Sequence, residues 1–230
     1  MRQLAPDLWI VEVPLRFLGV EAGRRMTIAR LRGGGLCLHS AAPLTGELRA
    51  SLDALGAPRF LVAASALHGH RFMEQYRDAY PELELWAAPG LDRRRKDLAF
   101  DGLLGSVADP RWSDDLDQTV FLGHLVPEVV FRHRASRTLV VGDLLASVDV
   151  DGPMSLAARL AWRLEGVYGR PGMPRSVRLA TRNRRAARRS VERILAWDFD
   201  RVIVGHGSVL QTGGRAAFER ATRWLLAGER

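Results

Sequence analysis

The sequence predicts a mixed α/β fold, and three observations carry that expectation. Short apolar runs recur along the chain and end at Gly, Asp, His or Pro, which is the pattern of strands. Between them lie stretches whose apolar residues recur three and four apart, the pattern of amphipathic helices. A chain of 230 residues, 47% hydrophobic and 26% charged, buries a single core without disulfide or metal staples, so a metal here would serve chemistry rather than folding. We expect one α/β domain over residues 1–230. The same composition excludes a disordered chain, a collagen-like repeat and a coiled coil.

Taken in order, strands are expected at residues 8–13, 26–31, 36–38, 60–63, 83–87, 120–122, 129–131, 138–141 and 202–204. Gly33-Gly34 between residues 24–32 and 35–39 signals a hairpin, and the polar turn 133–137 between 129–132 and 138–141 signals a second. Thr45 is placed to cap a helix that carries Leu48, Leu52 and Leu55 on one face and closes at Gly56. Phe72, Met73, Tyr76 and Tyr80 have helical spacing before Pro81. Further helices are expected over 155–164, 178–197 and 215–227. Residues 109–117 read as a polar loop.

Charge is concentrated in one segment. The chain has a formal charge of +8, and residues 175–193 supply nearly all of it, with eight Arg against the single acid Glu192. On a helix, Arg178, Arg182, Arg185, Arg189 and Arg193 would share one face, with Ala180, Ala187, Val191 and Ile194 opposite. Such a stripe could meet phosphates, although a solvated face is the simpler and preferred reading. The lone Cys37 excludes a disulfide framework and a Cys-rich zinc site, and its place inside an apolar run makes it a packed residue rather than a nucleophile. No apolar run reaches membrane-spanning length, and the N-terminus carries no secretory pattern, so a cytoplasmic location with no membrane partner is expected.

The six His are the informative residues. His68 and His70 lie just beyond the apolar run 60–64, His124 follows Val120-Phe121-Leu122-Gly123, and His206 stands between Gly205 and Gly207 after Val202-Ile203-Val204. Asp143 follows the run 138–141 and Gly142. Strand ends that share a sheet edge bring such residues into one crevice, and glycine beside a ligand lets the backbone turn sharply. Neutral imidazoles with one carboxylate suit a borderline cation such as Zn²⁺. His39 reads as packed or supporting, and His133 as an exposed turn residue among Arg.

These stretches resemble the metallo-β-lactamase-like superfamily of metal-dependent hydrolases. Ala66-Leu67-His68-Gly69-His70 is similar to the His-x-His part of its first metal motif. Gly123-His124 and Gly142-Asp143 resemble its Gly-His and Gly-Asp segments, and Gly205-His206-Gly207 its last motif. The resemblance implies a four-layer αββα sandwich with the site at one edge between the sheets. It implies metal ligands at His68, His70, His124, Asp143 and His206, and catalytic roles for Asp143 and His206. The motif is degenerate at one point: Phe72 and Met73 stand where the superfamily continues with Asp and His. One ion per chain, Zn²⁺ or Fe, is therefore expected on His68, His70 and His124.

The reaction implied is hydrolysis of an ester, lactone, amide or phosphoester by a metal-bound hydroxide, with Asp143 and His206 moving protons. The substrate is expected to be a small molecule selected by loops 88–112 and 148–175, with Trp162 as one wall. Arg159 or Arg163 could receive it if it is anionic. Two alternatives stand beside this reading: a non-catalytic member of the fold that binds a ligand or partner, and a nucleic-acid-binding protein working through helix 178–193.

Overall fold

The computed structural model describes residues 1–14, 16–17, 20–21, 23–151 and 154–227. Its layers follow from where the apolar faces go. One sheet runs in the order β1 (Arg2–Ala5), β2 (Leu8–Val13), β5 (Arg24–Arg30), β6 (Leu36–His39), β7 (Pro58–Ala63), β8 (Glu84–Ala87) and β9 (Gly102–Leu103). A short hairpin of β3 (Arg16–Phe17) and β4 (Val20–Glu21) stands between β2 and β5 in the chain. The second sheet runs β10 (Leu116–Phe121), β11 (Glu128–His133), β12 (Thr138–Val140) and β13 (Arg201–Ile203).

Three apolar layers hold the sandwich together. One face of the first sheet, with Ile28, Leu38 and Leu61, packs on Leu48 and Leu52 of α1 (Gly46–Leu55) and on Met73 and Tyr76 of α2 (Met73–Ala79). Its other face, with Leu8, Ile10, Val62 and Phe60, meets Val120, Val129, Phe131 and Ile203 of the second sheet. The outer face of the second sheet, with Phe121, Val130 and Leu139, is covered by Ala187, Val191 and Ile194 of α6 (Arg184–Leu195) and by Phe218 and Leu225 of α7 (Gly214–Leu226). This is the αββα order expected. A strand buried on both faces reads as a continuous apolar run, which is why Phe60-Leu61-Val62-Ala63 was legible.

Both expected hairpins form, β5 with β6 and β11 with β12, and Thr45 caps α1 by accepting from the Leu48 N–H at 3.2 Å. Such a cap contributes about 1 kcal/mol. The remaining helices are α3 (Leu91–Arg94), α4 (Leu156–Glu165) and α5 (Arg175–Ala180). One expected helix is corrected. Residues 178–197 do not form one helix: α5 ends at Ala180, and Asn183 starts a new one by capping the Ala186 N–H at 3.0 Å. The break arises because Gly123 O takes the N–H groups of Arg182 and Asn183, which a continuous helix would need internally. The short strands β1 and β9 and helix α3 were not expected, since none carries a full period of apolar residues. No described helix is long and apolar enough to cross a membrane.

Candidate metal centre

Three strand ends meet at one edge of the sandwich. β12 and β13 are parallel neighbours with Val140 opposite Ile203, so the loops bearing Asp143 and His206 leave side by side. Gly205 N–H donates to Gly142 O at 3.0 Å and locks the two turns together. From the facing sheet, the segment after β7 is tied across by the Val129 N–H bond to Ala64 O and by a bridge between Ser65 and Glu128. That tie brings His68 to the same point. Gly207 is obligatory here: its φ is +88°, and a Cβ would stand 1.9 Å from Ser147 O.

His68, Asp143 and His206 each turn one ligand atom into a cluster no more than 4.8 Å across, the only group of three metal-competent side chains found among the described residues. His206 Nε2 lies 3.1 Å from Asp143 Oδ1, and His68 Nε2 lies 2.9 Å from Asp143 Oδ2. The second contact is close but not aligned as a hydrogen bond, so a buried ring nitrogen is left without a partner. Unsatisfied buried nitrogens are costly, and a cation held between two imidazoles and a carboxylate resolves this one. The donor set fits one borderline ion.

Electrostatics favour the ligand form of the carboxylate. Burial works against the Asp143 charge, but His68 and His206 outweigh it and hold its pKa far below the usual carboxylate range. Burial likewise opposes charge on His68, yet the Asp143 carboxylate raises that ring's pKa. On His206, Nδ1 donates to Gly23 O at 2.9 Å, so the neutral ring would offer its Nε2 lone pair to an ion in the cluster.

A residue that sequence reasoning missed supports the centre. Glu128 is buried and accepts from the N–H groups of Gly142 at 2.7 Å, Asp143 at 2.7 Å and Leu144 at 3.1 Å. It fixes the turn that aims Asp143. Burial and the nearby Asp143 charge raise its pKa to about 7, against the pull of those N–H groups. Gly142 is tightly packed, since a Cβ would lie 3.1 Å from His68 Cε1 and 3.2 Å from Glu128 Oε2.

His70 and His124 are not brought into the cluster, so the three-imidazole centre anticipated from the motif spacing is not the one assembled. His70 Nδ1 takes a hydrogen bond from Arg95 Nη1 at 3.0 Å. A guanidinium only donates, so the proton of the neutral ring sits on Nε2, the reverse of the His206 arrangement. His70 Nε2 is buried without a hydrogen-bond partner. His124 Nδ1 is closed against Val126, 2.6 Å from its carbonyl and 3.1 Å from its N–H, and its backbone bridges to Thr181. His39 is buried against Phe131 and borders the small inner pocket that also contains His68 and His206. His133, expected at the surface, is 2% exposed, because β11 extends through it and Ser136 Oγ meets its Nδ1 at 2.7 Å.

Beside the centre opens a cleft of about 410 Å³. Gly205 and Gly207 form its floor next to His206, with Met154 and Trp162 on one side and Glu12, Val13 and Arg24 on another. The Trp162 ring lies 6.3 Å from that of His206, so α4 does supply a wall. Loop 148–175 contributes as expected, although Gly152 and Pro153 lie outside the described residues, whereas loop 88–112 contributes nothing to this lining. Nor do Arg159 and Arg163 line it; Arg163 covers Tyr168 instead.

Two further expectations have structural outcomes. Cys37 is buried, and burial pushes its thiol up to about 12, which leaves it no nucleophilic thiolate. The Arg stripe is divided by the break between α5 and α6: its Arg178 lies over Trp224, where Arg184 from outside the stripe joins it. Phe72 and Met73 pack on the α1–α2 side of the first sheet, Met73 wholly buried.

Comparison with known proteins places the fold. A family model described as a domain of unknown function (DUF4336) matches residues 6–162. No curated protein matches the sequence. Among solved structures, a metallo-β-lactamase from Erythrobacter litoralis is similar at 15% identity and a TM-score of 0.66, covering 98% of this chain and 95% of that one. The metallo-β-lactamase DIM-1 aligns at 13% identity and a TM-score of 0.65, over 97% and 95%. One from Pontibacter korlensis aligns at 13% identity and a TM-score of 0.62, over 99% and 98%. The architecture is that of the metallo-β-lactamases.

Proposed function

The chain belongs to the DUF4336 family, and within it we propose that this protein is a metal-dependent hydrolase of a small molecule, with one Zn²⁺ or Fe ion per chain held by His68, Asp143 and His206. The observation that carries the reading is that cluster, with an unsatisfied imidazole nitrogen, next to a cleft that Gly205 and Gly207 line on either side of His206 in the chain. A bound ion there supplies Lewis acidity and lowers the pKa of water to near ~7.

The protein's own groups do the rest. Gly23 O fixes the His206 tautomer, and Glu128 holds the Asp143 turn through three N–H groups. Asp143, kept ionised, and His206, whose Nδ1 proton is held by Gly23 O, would serve as ligands of that ion, in place of the proton-moving roles expected from the sequence. Trp162 and Met154 give the cleft an apolar wall.

A second reading, a ligand-binding member of the fold without turnover, is favoured by the reversed polarity of His70 and by Phe72 and Met73. Metal analysis of the purified protein and a panel of chromogenic esters, lactones and phosphodiesters, run on wild type, Asp143→Ala and His206→Ala, decides between them. Hydrolysis that both substitutions abolish supports the enzyme. A metal-loaded protein inert across the panel supports the binder.

A further inference from the structure

Two adjacent arginines at the mouth of the centre have opposite circumstances. Arg25 is a strut: its guanidinium reaches Glu12 Oε1 and Gly207 O at 2.6 Å each and also donates to Val204 O. Arg24, one residue earlier on β5, has no acidic and no carbonyl partner among the described residues, and its Nε is buried without an acceptor. It lies 4.8 Å over the Phe72 ring, and the guanidinium of Arg71 lies 5.5 Å from the same ring. Arg71 likewise has no ion pair among the described residues. Glu12, the one acid lining the cleft among the described residues, is already engaged by Arg25.

Two like charges on one aromatic ring, neither paired with an acid among the described residues, are unfavourable without an anion between them. Partial burial and the Arg71 charge together lower the pKa of Arg24, as a guanidinium lacking its counter-ion would show. The placement is as informative as the charge. Arg24 borders both the cleft and the inner pocket that holds His68 and His206. An oxyanion on Arg24 would therefore sit beside the centre, where guanidinium recognises carboxylate or phosphate with two parallel hydrogen bonds.

We infer that Arg24, stacked on Phe72 and seconded by Arg71, is the oxyanion receptor of the cleft, and that the substrate is a small molecule bearing a phosphate or carboxylate group. The inference rests on the hydrolase reading for the word substrate, but its anion site stands without it. Phe72, which stands where the related motif has a metal-binding residue, here carries a fixed cation instead.

The test is binding of inorganic phosphate, and separately of succinate, to the protein as purified and after chelator treatment, by calorimetry at low ionic strength. We expect either anion to bind the chelated protein, Arg24→Gln to weaken it at least tenfold, and Arg71→Gln to weaken it by a smaller factor. Arg24→Lys should recover part of the loss, and Arg30→Gln, whose guanidinium is paired with Asp7, should change nothing. Which anion binds tighter assigns the headgroup. Absence of binding by both anions, or equal binding by a folded Arg24→Gln protein, overturns the inference. Metal content measured on the same samples keeps the two readings apart: wild type without metal but with Arg24-dependent phosphate binding sinks the hydrolase and leaves the anion site.

Discussion

His206 and His70 face the same edge of the sandwich from loops of similar sequence, and differ in the partner of the second ring nitrogen. His206 Nδ1 donates a hydrogen bond to Gly23 O, so the neutral ring would offer its Nε2 lone pair to an ion at Asp143. His70 Nδ1 accepts a hydrogen bond from Arg95, so the Nε2 of the neutral ring carries the hydrogen. An imidazole ligates through a lone pair, and the group behind the ring decides which nitrogen has one. A His-x-His spacing alone does not make two ligands.

The largest effect that tests this contrast is on metal content. His206→Ala or Asp143→Ala should strip the ion during purification and reduce hydrolysis by about 10² or more, while His70→Ala retains metal within twofold of wild type. Elemental analysis of the three proteins measures it. Loss of metal from His70→Ala would falsify the polarity argument.

Next in size is the support behind Asp143. Glu128→Ala leaves three N–H groups of the 142–144 turn without their acceptor, and should cost roughly 3 kcal/mol of stability together with a metal affinity about tenfold weaker. Urea denaturation and competition with a chelator read the two effects separately. A protein with wild-type metal affinity would mean that the turn needs no such support.

The smallest effect concerns a third imidazole, remote from the cluster. Burial lowers the pKa of His133. The unfolded chain takes up this proton first, so the stability His133 contributes is complete above the ordinary histidine range near 6.5 and is lost as pH falls below it. His133→Gln should therefore flatten the melting-temperature profile between pH 5 and 7 by a few degrees, at unchanged metal content. An identical slope in the variant counts against the assignment.

Much of the centre was legible because its signals are local. Val202-Ile203-Val204-Gly205-His206-Gly207 is a buried strand followed by a turn that only glycine allows, and both properties are written in adjacent residues. Glu128 was not legible: an acid at the head of a strand ordinarily faces water, and its one signal was its position directly before the wholly apolar Val129-Val130-Phe131. The helix over 178–197 was misjudged for a related reason. Its periodicity is continuous, but Gly123, far away in the chain, captures the two N–H groups that would have carried it through.

The sequence by itself therefore determined the layers and the strand ends, and singled out His68, His70, His124, Asp143 and His206 as candidates, because burial period and glycine turns act over a few neighbours along the chain. Only the tertiary structure decided which nitrogen of each imidazole is turned to a carbonyl or a guanidinium, which carboxylate braces the Asp143 turn and which arginine has no acid partner among the described residues. Each of those outcomes depends on a partner reached through space: Gly23 for His206, Arg95 for His70, Glu128 for Asp143, and for Arg24 the engagement of Glu12 by Arg25. Hydrogen-bond polarity and charge pairing are properties of contacts, and contacts between distant residues exist only once the two sheets have closed on each other.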